Sequence, residues 1–230
     1  MSANLDTLER VANRLGSLRW EVVFVGGAAS DLLISDPGAP PPRMTGDIDA
    51  VVEVANLPGY HEFSRKLRAA GFVEDRSPDA PLCRWLIDGT KVDLMPSEAS
   101  VLGFSNRWYT DTIRHARTTR LPGGTDVRVI TAPFFLATKL EAFSGRGRGD
   151  HGASHDIEDV VAVIDGRPEL VAEVDSSPPV LRTYLSQQFG ALLRNQRFLD
   201  GVPGHLLPDE ASQGRLAIVL DRMQLLAASA

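Results

Sequence analysis

The 230-residue chain has a single cysteine, Cys83, so no disulfide can form within it, and the composition suits a reducing compartment. It also lacks any run of about 18 apolar residues, the length a helix needs to span a bilayer, and no basic segment near the start leads into an apolar one. Export and membrane insertion are therefore not expected, and a cytoplasmic location is. Positive charge is scarce: 24 Lys and Arg against 30 Asp and Glu leave a net charge of −6. That balance disfavours broad, non-specific binding to nucleic acid while leaving room for a local basic patch. No internal repeat is present.

What the chain does have is apolar content, 43% hydrophobic against 23% charged residues, with length for one large domain or two small ones. Its most informative stretch covers residues 20–54. An apolar strand at 20–25 meets a Gly26-Gly27 turn that opens a short helix at 28–34. A loop at 36–43 with four prolines, a candidate lid or spacer, leads to a second apolar run carrying Asp47-Ile48-Asp49. Side chains alternate along a strand, so Asp47 and Asp49 share one face and Ile48 points the other way. Two solvent-facing carboxylates side by side suit a divalent metal; buried without a cation they would repel until one took up a proton. Two glycines at a strand-to-helix turn let backbone N–H groups approach a phosphate, and the helix N-terminus adds attraction. The pair of features implies a nucleotide and Mg²⁺. The plainer alternatives are an ordinary turn and an exposed strand edge.

Elsewhere, apolar spacing predicts helices over 3–18 and 57–70, the first ending near Gly16 and the second at Gly71. Residues 72–74, 83–87, 90–95 and 126–130 read as strands, and Asp88-Gly89 closes a hairpin between the middle two. Arg107, Arg114, His115, Arg117, Arg120 and Arg128 face only Asp111 and Asp126, with Trp108 and Tyr109 interleaved. This composition suits stacking on RNA and contact with its phosphates, or else a solvated charged face. If 106–117 is helical, Arg114 and Arg117 share a face. From Ala132 the chain reads as helical, over 132–143, from about 155, and over 168–174, 179–199 and 210–228. Lys139, within the first of these, reads as a snorkelling side chain on the plain view. A glycine- and arginine-rich loop, 145–150, follows it. His205 has no metal-ligand partner at helical spacing and reads as structural or exposed.

The wording Val25-Gly26-Gly27-Ala28-Ala29, then Arg43-Met44-Thr45-Gly46-Asp47-Ile48-Asp49, resembles the nucleotidyltransferase superfamily, and within it the AbiEii and MenT-like toxin branch. The motifs span residues 22–160, because Lys139-Leu140-Glu141-Ala142, Arg146 or Arg148, and Asp156-Ile157-Glu158-Asp159 follow in the family's order. The resemblance implies an α/β fold: a polymerase-β-like mixed-sheet nucleotidyltransferase domain at 1–131, then a helical domain at 132–230 contributing to an active-site groove. It implies that Asp93, otherwise a strand residue facing water, joins Asp47 and Asp49 in holding two Mg²⁺ ions, with Mn²⁺ as the alternative. Lys139 and Asp156 complete the implied catalytic set, and Gly26, Gly27, Arg43, Lys139 and Arg146 are the implied nucleotide ligands. The implied activity is transfer of nucleotides from an NTP to the 3′ end of tRNA by a toxin of a toxin-antitoxin system, with a cognate antitoxin as partner and no membrane. Gly27 stands where many relatives carry serine, which removes a hydroxyl an antitoxin could phosphorylate; Ser30 is the nearest one downstream. A small-molecule adenylyltransferase of the aminoglycoside type and a non-catalytic nucleotide-binding member are the alternatives.

Overall fold

Four apolar residues in a row form the strand β1 (Val22–Val25), none more than 3% exposed, the pattern of a strand covered on both faces. It lies inside a seven-stranded mixed sheet. The computed structural model describes residues 2–54, 56–146 and 150–229 and divides the chain into two units, residues 1–31 with 43–131, and residues 32–42 with 132–230.

Up to Thr131 the elements are α1 (Ala3–Leu15), β1, α2 (Gly26–Leu33), β2 (Asp47–Val52), α3 (Leu57–Ala69), β3 (Val73–Glu74), β4 (Arg84–Ile87), β5 (Thr90–Pro96), α4 (Ala99–Leu102), α5 (Tyr109–Arg114), β6 (Arg117–Arg120) and β7 (Asp126–Val129), all in the first unit except the last two residues of α2. The strand order is β3-β4-β5-β2-β1-β7-β6. β2 runs parallel to β5 and β1 parallel to β7, while the β1–β2, β3–β4, β4–β5 and β6–β7 pairs are antiparallel. Asp88 (φ 49°) and Gly89 (φ 78°) are both left-handed, as the expected two-residue hairpin turn requires.

The basic stretch departs from expectation. Residues 106–117 are not one helix: α5 stops at Arg114, and Arg117 opens β6, an edge strand. The β-branched pair Thr118-Thr119, followed by Pro122-Gly123-Gly124, favours a hairpin with β7 over another helical turn. Arg114 and Arg117 therefore do not share a helical face. Trp108 is only 3% exposed and lies 5.0 Å beneath the Arg107 guanidinium, so it is a core residue and not a platform for stacking bases.

Ser2 caps α1 by accepting from the Asn4 backbone N–H. Asn4 itself is buried: its amide donates to Asp31 Oδ2 at 2.7 Å and to the Arg43 carbonyl at 2.9 Å, and its oxygen accepts from the Thr45 N–H at 3.0 Å. One side chain thus holds the backbone on both sides of Met44, directly upstream of Asp47.

The second unit contains α6 (Ala132–Arg146), α7 (His155–Gly166), α8 (Leu170–Asp175), α9 (Pro179–Leu193), α10 (Gln196–Gly201), α11 (Glu210–Gly214) and α12 (Leu216–Ala228). The expected helix at 179–199 is two, because Asn195 takes an N-cap conformation and accepts from the Arg197 and Phe198 N–H groups. The 210–228 helix is likewise interrupted after Gly214.

The proline-rich segment is fastened to this unit, which speaks against a free lid. Ser35 and Asp36 donate their backbone N–H groups to the Gly166 carbonyl at 2.9 and 3.0 Å, and Arg215 pairs with Asp36 at 2.6 Å. Arg215 Nε also reaches both oxygens of Asp165, at 2.7 and 2.9 Å, and Arg222 donates to the Ile164 and Asp165 carbonyls at 2.6 Å each. Two arginines thereby satisfy the end of α7, where cations are favoured. The Asp36 carboxyl is held below the usual carboxylate range, chiefly by the Arg215 hydrogen bond. Its stabilising contribution is therefore present above the ordinary carboxyl pKa and is lost as pH falls through the depressed one. Arg215→Lys keeps the charge but not the fork, and with Asp165 only 1% exposed the variant is expected to lose about 1–3 kcal/mol. A denaturant midpoint equal to wild type would show that the fork contributes nothing. Among the described residues no helix is long and apolar enough to cross a membrane.

Candidate active site

The parallel register of β2 and β5 sets Asp49 opposite Asp93 and Asp47 opposite Lys91, and the β4–β5 hairpin sets Arg84 opposite Asp93. Cross-strand partners project from the same face, so Arg84, Asp93, Asp49 and Asp47 gather on one face at one end of β2. Val25 pairs with Asp49, which brings the end of β1 to the same place. There the chain turns into α2 at Gly26, with φ +67°; a Cβ on Gly26 would lie 2.0 Å from Asp49 Oδ2 and 2.6 Å from the Asp49 Cβ and Cγ. Only glycine permits both this backbone conformation and this approach to the carboxylate. Gly27 beside it is buried.

The arginine was not legible as a site residue from composition, yet it dominates the cluster. Arg84 Nε donates to Asp93 Oδ1 at 2.8 Å, and Nη2 donates to Asp93 Oδ2 at 2.8 Å and to Asp47 Oδ2 at 3.2 Å. This is a two-pronged guanidinium–carboxylate pair, stronger and more directional than a single contact. The Arg84 and Asp93 side chains are 18% and 12% exposed, so solvent screens the pair little, and the Asp93 hydrogen bond raises the arginine pKa further. A signal for it does lie in the chain. A two-residue Asp88-Gly89 turn pairs Ile87 with Thr90, and moving three residues away from the turn on each strand pairs Arg84 with Asp93.

Three carboxylates on neighbouring strands are hard oxygen donors of the kind Mg²⁺ and Mn²⁺ take. Among the described residues, however, no group of three or more His, Cys, Asp or Glu side chains is disposed to hold a metal ion. The chemistry of the donor set fits a divalent cation; the guanidinium engages both oxygens of Asp93 and one of Asp47, so a cation bound through those oxygens competes with it. Cys83, next along β4, is buried, and its thiol is pushed up to about 12 by burial and by the Asp93 charge, so it is no nucleophile here.

Arg43 is half-buried, and its carbonyl is the one Asn4 holds. Ser30 is fully buried and donates to the Gly27 carbonyl, so it offers no exposed hydroxyl. His205 donates from Nε2 to the His151 carbonyl, 2.6 Å away. In the second unit, Lys139 on α6 lies 2.6 Å from Asp159 Oδ2 and 3.3 Å from Asp156 Oδ1. Asp159 is the nearer partner and is 1% exposed, against 7% for Asp156 and 8% for Lys139. Arg148 lies outside the described residues, as does the side chain of Arg146. A separate cavity of about 440 Å³, lined by Trp20, Val52, Lys66 and Arg128 among others, sits at the other end of β2 from the carboxylates.

Among solved structures the chain is similar to an antigenic nucleotidyltransferase-like protein from Paracoccidioides brasiliensis, with a TM-score of 0.52 and 21% identity over 87% of this chain and 92% of that one. It also aligns with JHP933 from Helicobacter pylori, with a TM-score of 0.47 and 11% identity over 99% and 94% of the two chains. No protein-family model matches the chain, and no curated protein does. The first likeness defines the class of fold: a nucleotidyltransferase-like mixed α/β sheet accompanied by helices. The AbiEii and MenT-like branch rests on the sequence motifs alone.

Proposed function

We propose that the chain is a metal-dependent nucleotidyltransferase whose acceptor is the 3′ end of tRNA, acting as the toxin of a toxin-antitoxin pair. The observation that carries the transferase reading is the register that aligns Asp49 with Asp93, beside Asp47, against a Gly26 backbone with no room for a side chain. In the reaction the acceptor hydroxyl oxygen bonds to the α-phosphorus, the bond from that phosphorus to the oxygen bridging the β-phosphate breaks, pyrophosphate leaves, and the hydroxyl proton passes to water. Backbone N–H groups at Gly26 and Gly27 bind phosphate oxygens. Asp47, Asp49 and Asp93 would hold the divalent cation, which neutralises charge developing on the phosphates when bound. Arg43, Lys139 and Arg146 are assigned to the nucleotide, and Asp156 to orienting Lys139 or the nucleotide, by motif alone.

The tRNA acceptor is supported by the branch motifs and by the exposed side chains of Arg107, Arg114 and Arg117. A small cationic acceptor is favoured by a different observation: Arg114 pairs with Asp111 at 3.3 Å and Arg120 with Asp126 at 2.9 Å, which offsets part of the basic surface. Incubation with total RNA and each α-labelled NTP in Mg²⁺ separates these readings. Label in the tRNA band is the expected result. Label on an added aminoglycoside instead would establish the small-molecule reading, and no transfer to any acceptor would leave a nucleotide-binding protein.

If RNA is bound, affinity should fall with salt through counterion release, each phosphate contact adding about 0.7–0.9 to the log–log slope. Replacing Arg114 and Arg117 together by Gln is expected to lower that slope by about 1.5. A titration with the wild-type slope would remove this surface from RNA binding.

A further inference from the structure

The carboxylate cluster already contains a cation of its own. Arg84 reaches both oxygens of Asp93 at 2.8 Å and Asp47 at 3.2 Å, with side chains 18%, 12% and 37% exposed respectively. A group held by three charge-assisted hydrogen bonds at a partly dry site is not displaced by a weakly bound ion. We propose that Arg84 is an internal counter-ion that competes with the divalent cation for Asp93 and Asp47, so that the site takes up metal well only when a nucleotide triphosphate arrives with it. The inference rests on the transferase reading above.

The physical argument is one of exchange. Without ligand, the guanidinium offsets the mutual repulsion of Asp47, Asp49 and Asp93, which stabilises the empty site. A divalent ion entering alone must break the fork on Asp93 and meets a fixed positive charge a few ångströms away. An entering triphosphate supplies new anionic oxygens that suit a planar guanidinium as well as a carboxylate does, so Arg84 can leave Asp93 without becoming an unpaired charge. Arg84 is placed for this by β4, a strand fixed against β5 by the tight Asp88-Gly89 turn. In the empty site it holds Asp93 and Asp47, and with nucleotide bound it passes to the triphosphate oxygens.

The test measures metal binding directly. Mn²⁺ is titrated calorimetrically and by electron paramagnetic resonance into the wild type, Arg84→Met, Arg84→Lys and Asp49→Asn, each with and without a non-hydrolysable NTP analogue. Removing a unit charge beside a divalent ion at an effective dielectric of about 20 is expected to tighten Mn²⁺ binding without nucleotide by about tenfold or more in Arg84→Met. The nucleotide-dependent gain in Mn²⁺ affinity, large in the wild type, should shrink in that variant. The variant without metal should also melt below wild type, and Mn²⁺ should raise its melting temperature more than that of wild type. Should Arg84→Met fail to fold, Arg84→Lys carries the same test with a smaller increase, since the charge stays but the fork is lost. Equal Mn²⁺ affinity in wild type and the Arg84 variants, with binding lost in Asp49→Asn, would overturn the competition while leaving the metal site in place. No Mn²⁺ binding by any protein, with or without the analogue, would overturn the metal-dependent reading itself.

Discussion

Asp49→Ala is expected to lower nucleotidyl transfer by a factor of about 10²–10³ or more while leaving the melting temperature near wild type. Losing one group that stabilises developing charge in a preorganised site commonly costs this much. Asp49 is the cleaner choice of the three carboxylates. Its substitution trims a side chain that Gly26 closely approaches and leaves the Arg84–Asp93 fork intact. Asp93→Ala mixes two effects, because it also strips a partly buried guanidinium of its two-pronged partner and should lower stability as well as activity. Transfer assays on each purified variant, with melting curves alongside, check both statements. Wild-type turnover by Asp49→Ala, or full activity in excess EDTA, would remove the carboxylate mechanism.

Lys139→Ala is expected to destabilise the chain by about 3–5 kcal/mol, the usual cost of removing one partner of a buried ion pair. For a protein of this length that is a fall in melting temperature of about 6–20 °C. The reason is geometric: Lys139 Nζ lies 2.6 Å from Asp159, which is 1% exposed, and 3.3 Å from Asp156. The motif alone suggests a different outcome, in which the substitution weakens nucleotide use more than folding. Specific activity of the folded fraction separates the two. If Lys139→Ala melts within about 2 °C of wild type and loses turnover, the lysine serves the nucleotide and not the helix pair; a large drop in stability with activity retained makes it structural.

Much of the candidate site's framework is legible because it is written in near neighbours. The Gly26-Gly27 turn, the alternation that puts Asp47 and Asp49 on one face, and the Asp88-Gly89 hairpin all depend on residues within a few positions of one another. The same holds for most helices, whose apolar spacing matches the elements formed. Expectation and structure part where a local pattern is ambiguous. Arg114 and Arg117 fit a helical face by spacing, but Thr118-Thr119 and the glycine turn beyond them carry the chain into an edge strand. Trp108 among arginines suits a stacking surface by composition, but its burial makes it core.

By itself, then, the sequence determined the central strands, the acidic strand among them, and the glycine turn beside it, since backbone preference and side-chain alternation act over a few residues. Only the tertiary structure decided what surrounds those carboxylates. Arg84 meets Asp47 across 37 positions, Asn4 holds Arg43 and Thr45 across 39 and 41, and Arg215 joins Asp36 across 179. Each of these contacts depends on strand register or helix docking, which the burial of the whole core selects. A residue's neighbours in the chain carry no record of it.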